Sequence, residues 1–232
     1  LINHVFETSL TLKPSSINVV VGHQAEDVKL AVTSEFGEAK FAFPVQKQQL
    51  GTGDAVNSAK KLLKDRDSVT LVLSGDVPMI TSATLKSLLS KHRRSNAACT
   101  ILTVELADPS GYGRVIRDDD GSVSRIVEQK DASDDEAAIS EINSGVYVFR
   151  AAPLRAHLDL VGEANAQGER YLTDVIGLLR ASRLPVGASA AFDATAALGV
   201  NDRVQLAEAA KILNARVVRH WKMEGVRVMD TD

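Results

Sequence analysis

An α/β fold, a three-layer sandwich with a mostly parallel central sheet and an antiparallel β insert, is predicted by three features of this chain. The first is the alternation of strand-like and helix-like stretches over roughly residues 1–106, which right-handed crossovers turn into a parallel sheet. The second is the run Leu71-Val72-Leu73-Ser74-Gly75-Asp76-Val77-Pro78, where apolar residues stop at a glycine, a carboxylate and a proline. Val69, Leu71, Val72 and Leu73 are too uniformly apolar for a strand with one wet face, so they predict a central parallel strand covered on both sides. The third is Asp118-Asp119-Asp120-Gly121 between two apolar runs, a hairpin signal because glycine supplies positive φ at the turn.

In chain order, Ile2, Val5 and Leu10 mark the apolar side of an opening helix, and Ile17 to Val21 reads as a buried strand. A helix through Val28, Val32 and Phe36 follows, then a strand in which Phe41, Phe43 and Val45 alternate. The polar loop Gln46 to Gly53 opens a helix carrying Val56, Ala59, Leu62 and Leu63. After the central strand comes a helix with Leu85, Leu88 and Leu89, begun by a Thr81 or Ser82 cap, and an apolar strand from Cys99 to Leu106. Gly113 to Arg117 and Val123 to Glu128 form the hairpin insert, and Asp134-Asp135-Glu136 reads as a solvated loop. Gly145 to Phe149 returns as a strand, helices lie around Ala151 to Leu160 and Tyr171 to Ala181, and Val186 to Phe192 is a weaker strand. The last helix spans about Asp202 to Lys222, with Leu206, Ala210, Leu213, Val217 and Trp221 on one side.

The 232 residues, 44% of them hydrophobic, suffice for a sizeable core. A net charge of -3 and a pI near 6.0 give no general attraction to nucleic acid or to an anionic membrane. The single cysteine, Cys99, sits in an apolar run and reads as a small buried hydrophobe, as suits a reducing cytoplasm. Nothing at the start looks like a signal peptide, and there is no membrane-spanning run. No hexapeptide repeat of the kind that builds a β-helix is present.

Ligands of open α/β sheets gather at the carboxyl ends of the strands, where Asp76 emerges. A carboxylate there either holds a divalent cation against phosphate oxygens or makes a turn. Gln46-Lys47-Gln48-Gln49-Leu50-Gly51-Thr52-Gly53 either reads a base edge with its amides or is a glycine-rich loop with Thr52 as N-cap. Gly111-Tyr112-Gly113-Arg114 either brings backbone N–H groups to a ligand or makes a turn, and Asn201 has the composition of an N-cap. His23 and His92 lack partners at metal-site spacing, Asp118-Asp119-Asp120 lacks the spacing of a calcium loop, and no nucleophile elbow supports Ser-His-Asp chemistry.

Taken together these stretches resemble the uridyltransferase domain of bacterial bifunctional N-acetylglucosamine-1-phosphate uridyltransferase/glucosamine-1-phosphate acetyltransferases. The resemblance runs through Val19-Val20-Val21-Gly22-His23, Gln49-Leu50-Gly51-Thr52-Gly53, Ser74-Gly75-Asp76-Val77-Pro78 and Asp108-Pro109-Ser110-Gly111-Tyr112-Gly113-Arg114. It continues in Ile126-Val127-Glu128-Gln129-Lys130-Asp131-Ala132, Glu141-Ile142-Asn143-Ser144-Gly145, Asn165-Ala166-Gln167-Gly168-Glu169, Tyr171-Leu172-Thr173-Asp174 and Gly199-Val200-Asn201-Asp202-Arg203.

The resemblance implies a Rossmann-like nucleotidyltransferase sandwich forming one uridyltransferase domain. Its nucleotide-binding part would cover about 1–106, its sugar-binding part about 107–197 and its closing helix about 201–222. Gln46, Gly51 and Thr52 would then contact the uracil and nearby nucleotide, while Ser74, Gly75 and Asp76 line the ribose and metal side. Gly113, Glu128 and Asn143 would hold N-acetylglucosamine, and Asp76 and Asn201 would bind Mg²⁺. The implied reactants are UTP and N-acetylglucosamine-1-phosphate, and the products UDP-N-acetylglucosamine and pyrophosphate, made in the cytoplasm for cell-wall precursors. Many relatives have tyrosine where this chain has Ser74. Relatives also begin with a strand and a Leu-Ala-Ala-Gly-x-Gly-Thr loop around the triphosphate, which would precede Leu1. A β-helix acetyltransferase domain, through which a homotrimer forms, would follow Asp232. The other readings are a nucleotide-sugar-binding regulatory domain without catalysis and a nucleotidyltransferase for a different sugar phosphate.

Overall fold

The structure, a computed structural model, describes residues 1–37, 41–63 and 67–229. The chain opens with α1 (Ile2–Leu10), β1 (Ile17–Asn18), α2 (Ala25–Phe36), β2 (Phe41–Ala42) and α3 (Thr52–Ser58). It continues with β3 (Val69–Val72), α4 (Ser82–Ser95), β4 (Cys99–Glu105), β5 (Arg114–Arg117), β6 (Val123–Val127), α5 (Asp134–Ala137) and β7 (Glu141–Arg150). The remaining elements are α6 (Ala151–Leu158), α7 (Asp174–Ala181), β8 (Val186–Ala190) and α8 (Arg203–Met223).

Strand β7 is the axis of the fold. On one side it pairs with β4 along its length; on the other it pairs with β3 through Tyr147 to Arg150 and with β5 at Ile142. All three pairings are antiparallel, whereas β4 and β8 run parallel. Strands β3, β4, β5 and β8 therefore point the same way, but β7 separates β3 from β4, so the expectation of a mostly parallel ladder is corrected at the level of hydrogen-bonded neighbours. Both faces of β3 do pack, with Leu71 and Leu73 against one core cluster and Val72 against the other. Among the described residues, however, β3 pairs only with β7 and is an edge strand rather than a central one. Uniform apolarity reports two covered faces and is silent about which neighbour supplies the ladder. Strands β1 and β2 form a separate parallel pair, extended by a bridge between Val21 and Val45.

The larger core lies between the sheet and α6 and α7, with Phe149, Ile101, Leu154, Val175, Ile176 and Leu179 wholly enclosed. The opposite face is covered by α4 through Leu85 and Leu88, and Thr81 caps that helix by accepting the Thr84 N–H. Cys99 is buried in β4, where enclosure pushes its thiol pKa up. His92 is likewise enclosed, with its Nδ1 2.9 Å from the Thr100 hydroxyl.

Several local expectations change. In α1 the buried pair is Val5 and Phe6, and Leu10 is exposed. Asp134-Asp135-Glu136 is a one-turn helix, because Ser133 and Glu136 form a reciprocal capping box and Glu136 also pairs with Arg125. Strand β7 begins at Glu141 rather than Gly145, and α7 at Asp174 rather than Tyr171. In α8 the inward stripe is Ala209, Ile212 and Leu213, while Leu206, Val217 and Trp221 face solvent. Arg216 sets that rotation by donating to the Met79 carbonyl at 2.7 Å and to Asp193 at 2.9 Å, which completes an i, i+3, i+4, i+7 face. Among the described residues no helix is long and apolar enough to cross a membrane.

Candidate functional site

Strands β3 and β5 share one edge of β7, and the cleft opens at the fork between them. Strand β3 leaves after Val72 opposite Tyr147, and the strand-β5 side rejoins where Asn143 N–H donates to the Gly113 carbonyl at 2.8 Å. On the other edge of β7 the register slips at the same place. Three residues, Ser144 to Val146, span the interval that one residue, Leu102, spans in β4. This bulge is held by the Ser144 hydroxyl, which donates to the Leu102 carbonyl at 2.7 Å and accepts the Val146 N–H. Gly145 turns through φ +75 here, and a Cβ on it would lie 3.4 Å from the Ser74 hydroxyl. A glycine inside an apolar strand was the available signal for the bulge.

One lip of the fork is Ser74-Gly75-Asp76, at the carboxyl end of β3. Asp76 is half-buried, and burial raises its carboxyl above the ordinary value, partly offset by a backbone N–H. Its carbonyl accepts the Val200 N–H at 2.9 Å, bringing the 199–201 segment alongside. A Cβ placed on Gly199 would lie 3.8 Å from Asn201 Nδ2 and 4.0 Å from Asp76 Oδ2, so both side chains border the Gly199 position. The N-cap of α8 is Asp202, which accepts the Gln205 N–H, and not Asn201, whose backbone N–H instead donates to the Gln205 side chain. Both residues suit a cap chemically; the choice of Asp202 leaves the Asn201 amide unused by the helix.

The other lip is the hairpin. Glu128 stands beside Gly113, where a Cβ would come within 3.2 Å of Glu128 Oε2, and Glu128 Oε1 accepts a 2.9 Å hydrogen bond from Thr173. Burial is the main cause that raises the Glu128 carboxyl; the Thr173 bond opposes it, and Asp174, Asp131 and Glu169 add to it. Asn143 is nearly enclosed. Its Nδ2 donates to the Tyr147 hydroxyl at 2.6 Å, and its Oδ1 accepts the Gly145 N–H at 3.2 Å.

The loop from Gln46 follows the β1–β2 pair, with the Gln46 N–H donating to the Val21 carbonyl at 2.8 Å. Gln46 Nε2 donates to the Gly51 carbonyl and to Asp54, each at 3.0 Å, bonds that do not engage its Oε1. Gly51, at φ +100, occupies the N-cap position of α3, correcting the alternative that Thr52 caps it. The Thr52 hydroxyl accepts the Leu172 N–H at 3.0 Å instead, while Arg170 bonds Leu50 and Gly53 through its backbone at 2.7 Å each. Gly22, at the end of the β1 segment, abuts Gln46 and Gln49.

Of the residues singled out in the sequence, Asp76 and Asn201 both border Gly199, Ser74 and Gly75 line the same lip, and Gly113, Glu128 and Asn143 line the facing one. Gln46, Gly51 and Thr52 reach them through the 170–173 segment rather than by side-chain contact. Sequence reasoning missed Thr173 as a structural member of the site, because a lone threonine carries no pattern. For a divalent cation the chemistry of the donors fits: a carboxylate and an amide oxygen are hard ligands, and a flip of the Asn201 amide presents Oδ1. Among the described residues no group of three or more His, Cys, Asp or Glu could hold a metal, so a cation here would draw its remaining ligands from water and phosphate.

The family profile described as nucleotidyl transferase matches residues 1–190. The bifunctional protein GlmU of Lactobacillus johnsonii is 45% identical over 232 residues, covering 100% of this chain and 49% of that protein. The bifunctional protein GlmU of Corynebacterium efficiens is 47% identical over 234 residues, covering 99% and 48% respectively. The chain thus spans about half the length of the curated relatives it matches. Among solved structures, HddC from Yersinia pseudotuberculosis complexed with GMP-PN aligns with a TM-score of 0.63 at 17% identity, covering 91% of this chain and 84% of that one. A UDP-glucose pyrophosphorylase complexed with UDP-glucose aligns with a TM-score of 0.59 at 16% identity, covering 82% and 76%. At such identities the likeness is one of fold.

Proposed function

The chain belongs to the nucleotidyl transferase family, and on that premise we propose that it transfers the uridylyl group of UTP to N-acetylglucosamine-1-phosphate, giving UDP-N-acetylglucosamine and pyrophosphate. The observation that carries this reading is that Asp76 and Asn201 both border Gly199, on the lip where β3 leaves β7. The relatives named GlmU, similar over the whole chain, support a nucleotidyltransferase of this kind; the choice of nucleotide and sugar, the cytoplasmic setting and the role in cell-wall precursor synthesis are parts of the proposal. Acetyl transfer and trimer formation would belong to sequence beyond these residues.

A phosphate oxygen of the sugar 1-phosphate forms a new P–O bond to the α-phosphorus of UTP, and the bond from that phosphorus to the bridging oxygen breaks, releasing pyrophosphate. Little covalent help is needed; alignment and charge neutralisation supply the rate. Gln46 would meet the base edge through Oε1, with Gly51 and Thr52 fixing the loop that presents it. Glu128 and Asn143 would hold the sugar, the acceptor oxygen of one and the remaining amide N–H of the other facing hydroxyl and N-acetyl groups. Asp76 and Asn201 would hold Mg²⁺, which when bound neutralises phosphate charge during transfer.

The test is pyrophosphate release by the full-length protein supplied with UTP, N-acetylglucosamine-1-phosphate and Mg²⁺. Turnover that is lost in Asp76→Ala is the expected result. Binding of UDP-N-acetylglucosamine with no turnover would assign a regulatory domain, and turnover only with another sugar phosphate would overturn the substrate.

A further inference from the structure

Arg114 and Gln129 have no task in the proposed reaction, yet each directly follows a residue that has one, Gly113 and Glu128. Ile126 and Glu128 flank the position a Gly113 side chain would take, whereas Arg114 lies opposite Val127 in the hairpin register. Because strand side chains alternate between faces, Arg114 belongs to the side of the hairpin turned away from Glu128.

On that far side Arg114 is only 1% exposed. Its Nη1 donates to the Tyr112 carbonyl, its Nη2 to Gln129 Oε1 at 2.8 Å, and its Nε and Nη2 to the Ala137 carbonyl at 3.3 and 3.2 Å. Gln129 Oε1 takes a second bond, from the Gly111 N–H at 3.1 Å. One side chain thus gathers the turn before Gly113, the residue after Glu128 and the end of α5. These acceptors are all neutral, so none of them offsets the cost of burying the charge. What a guanidinium supplies there is a planar fork of donors that reaches three stretches of chain at once.

The network reaches the cleft through Gly113. The Gly113 carbonyl accepts the Asn143 N–H at 2.8 Å, and a Cβ on Gly113 would stand 3.2 Å from Glu128 Oε2. All three residues assigned to the sugar therefore meet at Gly113, and the chain on both sides of it is fixed by Arg114. The loop assigned to the nucleotide is held separately. Among the described residues, the bonds from Gln46, Leu50, Thr52 and Gly53 run to Val21, Gly51, Asp54 and the 170–172 segment, and none ends on Arg114 or Gln129.

We propose that Arg114 and Gln129 are positioning residues for the sugar phosphate: their shared hydrogen bonds hold Gly113 and Glu128 in register from behind, without touching the ligand. This rests on the reading of Gly113, Glu128 and Asn143 as the sugar side of the cleft.

The experiment compares wild type, Gln129→Leu, Gln129→Glu, Arg114→Lys and Glu128→Gln in the full-length protein. For each, kcat, KM for N-acetylglucosamine-1-phosphate, KM for UTP and melting temperature are measured. Loss of the two bonds to Oε1 predicts a KM for sugar phosphate higher by roughly five- to tenfold in Gln129→Leu, with kcat and KM for UTP within about twofold of wild type. Gln129→Glu keeps an acceptor oxygen for the same two donors and should stay near wild type. Arg114→Lys repeats the test from the donor side: an ammonium keeps the charge but cannot span three acceptors, so the same split between the two KM values is expected. Glu128→Gln should raise KM for sugar phosphate directly. If it does while Gln129→Leu and Arg114→Lys leave both KM values unchanged and only lower the melting temperature, the positioning role is overturned and the sugar reading stands. A parallel rise in KM for UTP, or an equal loss in Gln129→Glu, would overturn the positioning role as well. Glu128→Gln with an unaltered KM for sugar phosphate would overturn the sugar reading and the positioning role together.

Discussion

The Thr52 hydroxyl accepts the Leu172 backbone N–H at 3.0 Å, and the next residue, Thr173, donates its own hydroxyl to Glu128 at 2.9 Å. Two consecutive residues thus tie the loop expected to read the nucleotide to the carboxylate expected to hold the sugar. Leu172 and Thr173 are both buried, so neither bond is readily replaced by water.

Thr52→Val keeps the shape of the side chain and removes the acceptor, leaving the Leu172 N–H alone in a buried setting at a cost of about 1–3 kcal/mol. The expected outcome is a rise in KM for both UTP and sugar phosphate, with Thr52→Ser near wild type. A rise confined to UTP would mean that Thr52 acts on the nucleotide alone and that the link to Glu128 carries nothing.

Gly51 holds the same junction by having no side chain. At φ +100 it adopts a conformation L-residues avoid, and a Cβ would stand 2.6 Å from the Arg170 carbonyl oxygen, a backbone atom that cannot yield easily. Gly51→Ala should therefore cost more than the ~1–2 kcal/mol of left-handed strain alone. Gly37, at φ +75 with nothing within 4 Å of its virtual Cβ among the described residues, provides the control. Thermal melting should show a clearly larger loss for Gly51→Ala than for Gly37→Ala, and equal losses would discount the close approach.

Asn143 has two tasks in the geometry. Removing it as Asn143→Ala strands the Tyr147 hydroxyl, which is buried and has its pKa pushed well above the usual range chiefly by that burial. Stability should fall by about 1–3 kcal/mol, along with a higher KM for sugar phosphate. Asp76→Ala should instead nearly abolish kcat with KM for sugar phosphate little changed. Similar, mild kinetic losses in both variants would count against their assigned places in the reaction.

The elements legible in the sequence were those with local chemistry. The hairpin of β5 and β6 was marked by the Asp118 to Gly121 turn, and α4 by the Thr81 cap, because these signals are complete within a few residues. The position of β3 was not legible, since its edge pairing with β7 depends on a strand more than seventy residues away. The inward face of α8 was misread for a related reason: its sequence offers two apolar stripes, and Arg216 reaching Met79 and Asp193 decides between them. Asp76 stood out by residue type and place and Asn201 only through the family resemblance, whereas the Ser144 to Val146 bulge that opens the cleft needs a partner strand to exist.

Asp76 also makes a prediction about stability without any ligand. Burial raises its carboxyl above 3.8, so between 3.8 and the raised value the folded chain binds more protons there than the unfolded chain. Stability from this group is therefore lost as pH rises through that window, and the cost of the buried charge persists at every higher pH. In EDTA at pH 7, Asp76→Asn should melt at a higher temperature than wild type, and the gap should narrow as the pH is taken below about 4. Adding Mg²⁺ and UTP should reverse the order, because the ligands then stabilise only the chain that can hold them. If Asp76→Asn instead melts lower than wild type at pH 7 in EDTA, the carboxylate is satisfied within the protein and is not held in readiness for a cation.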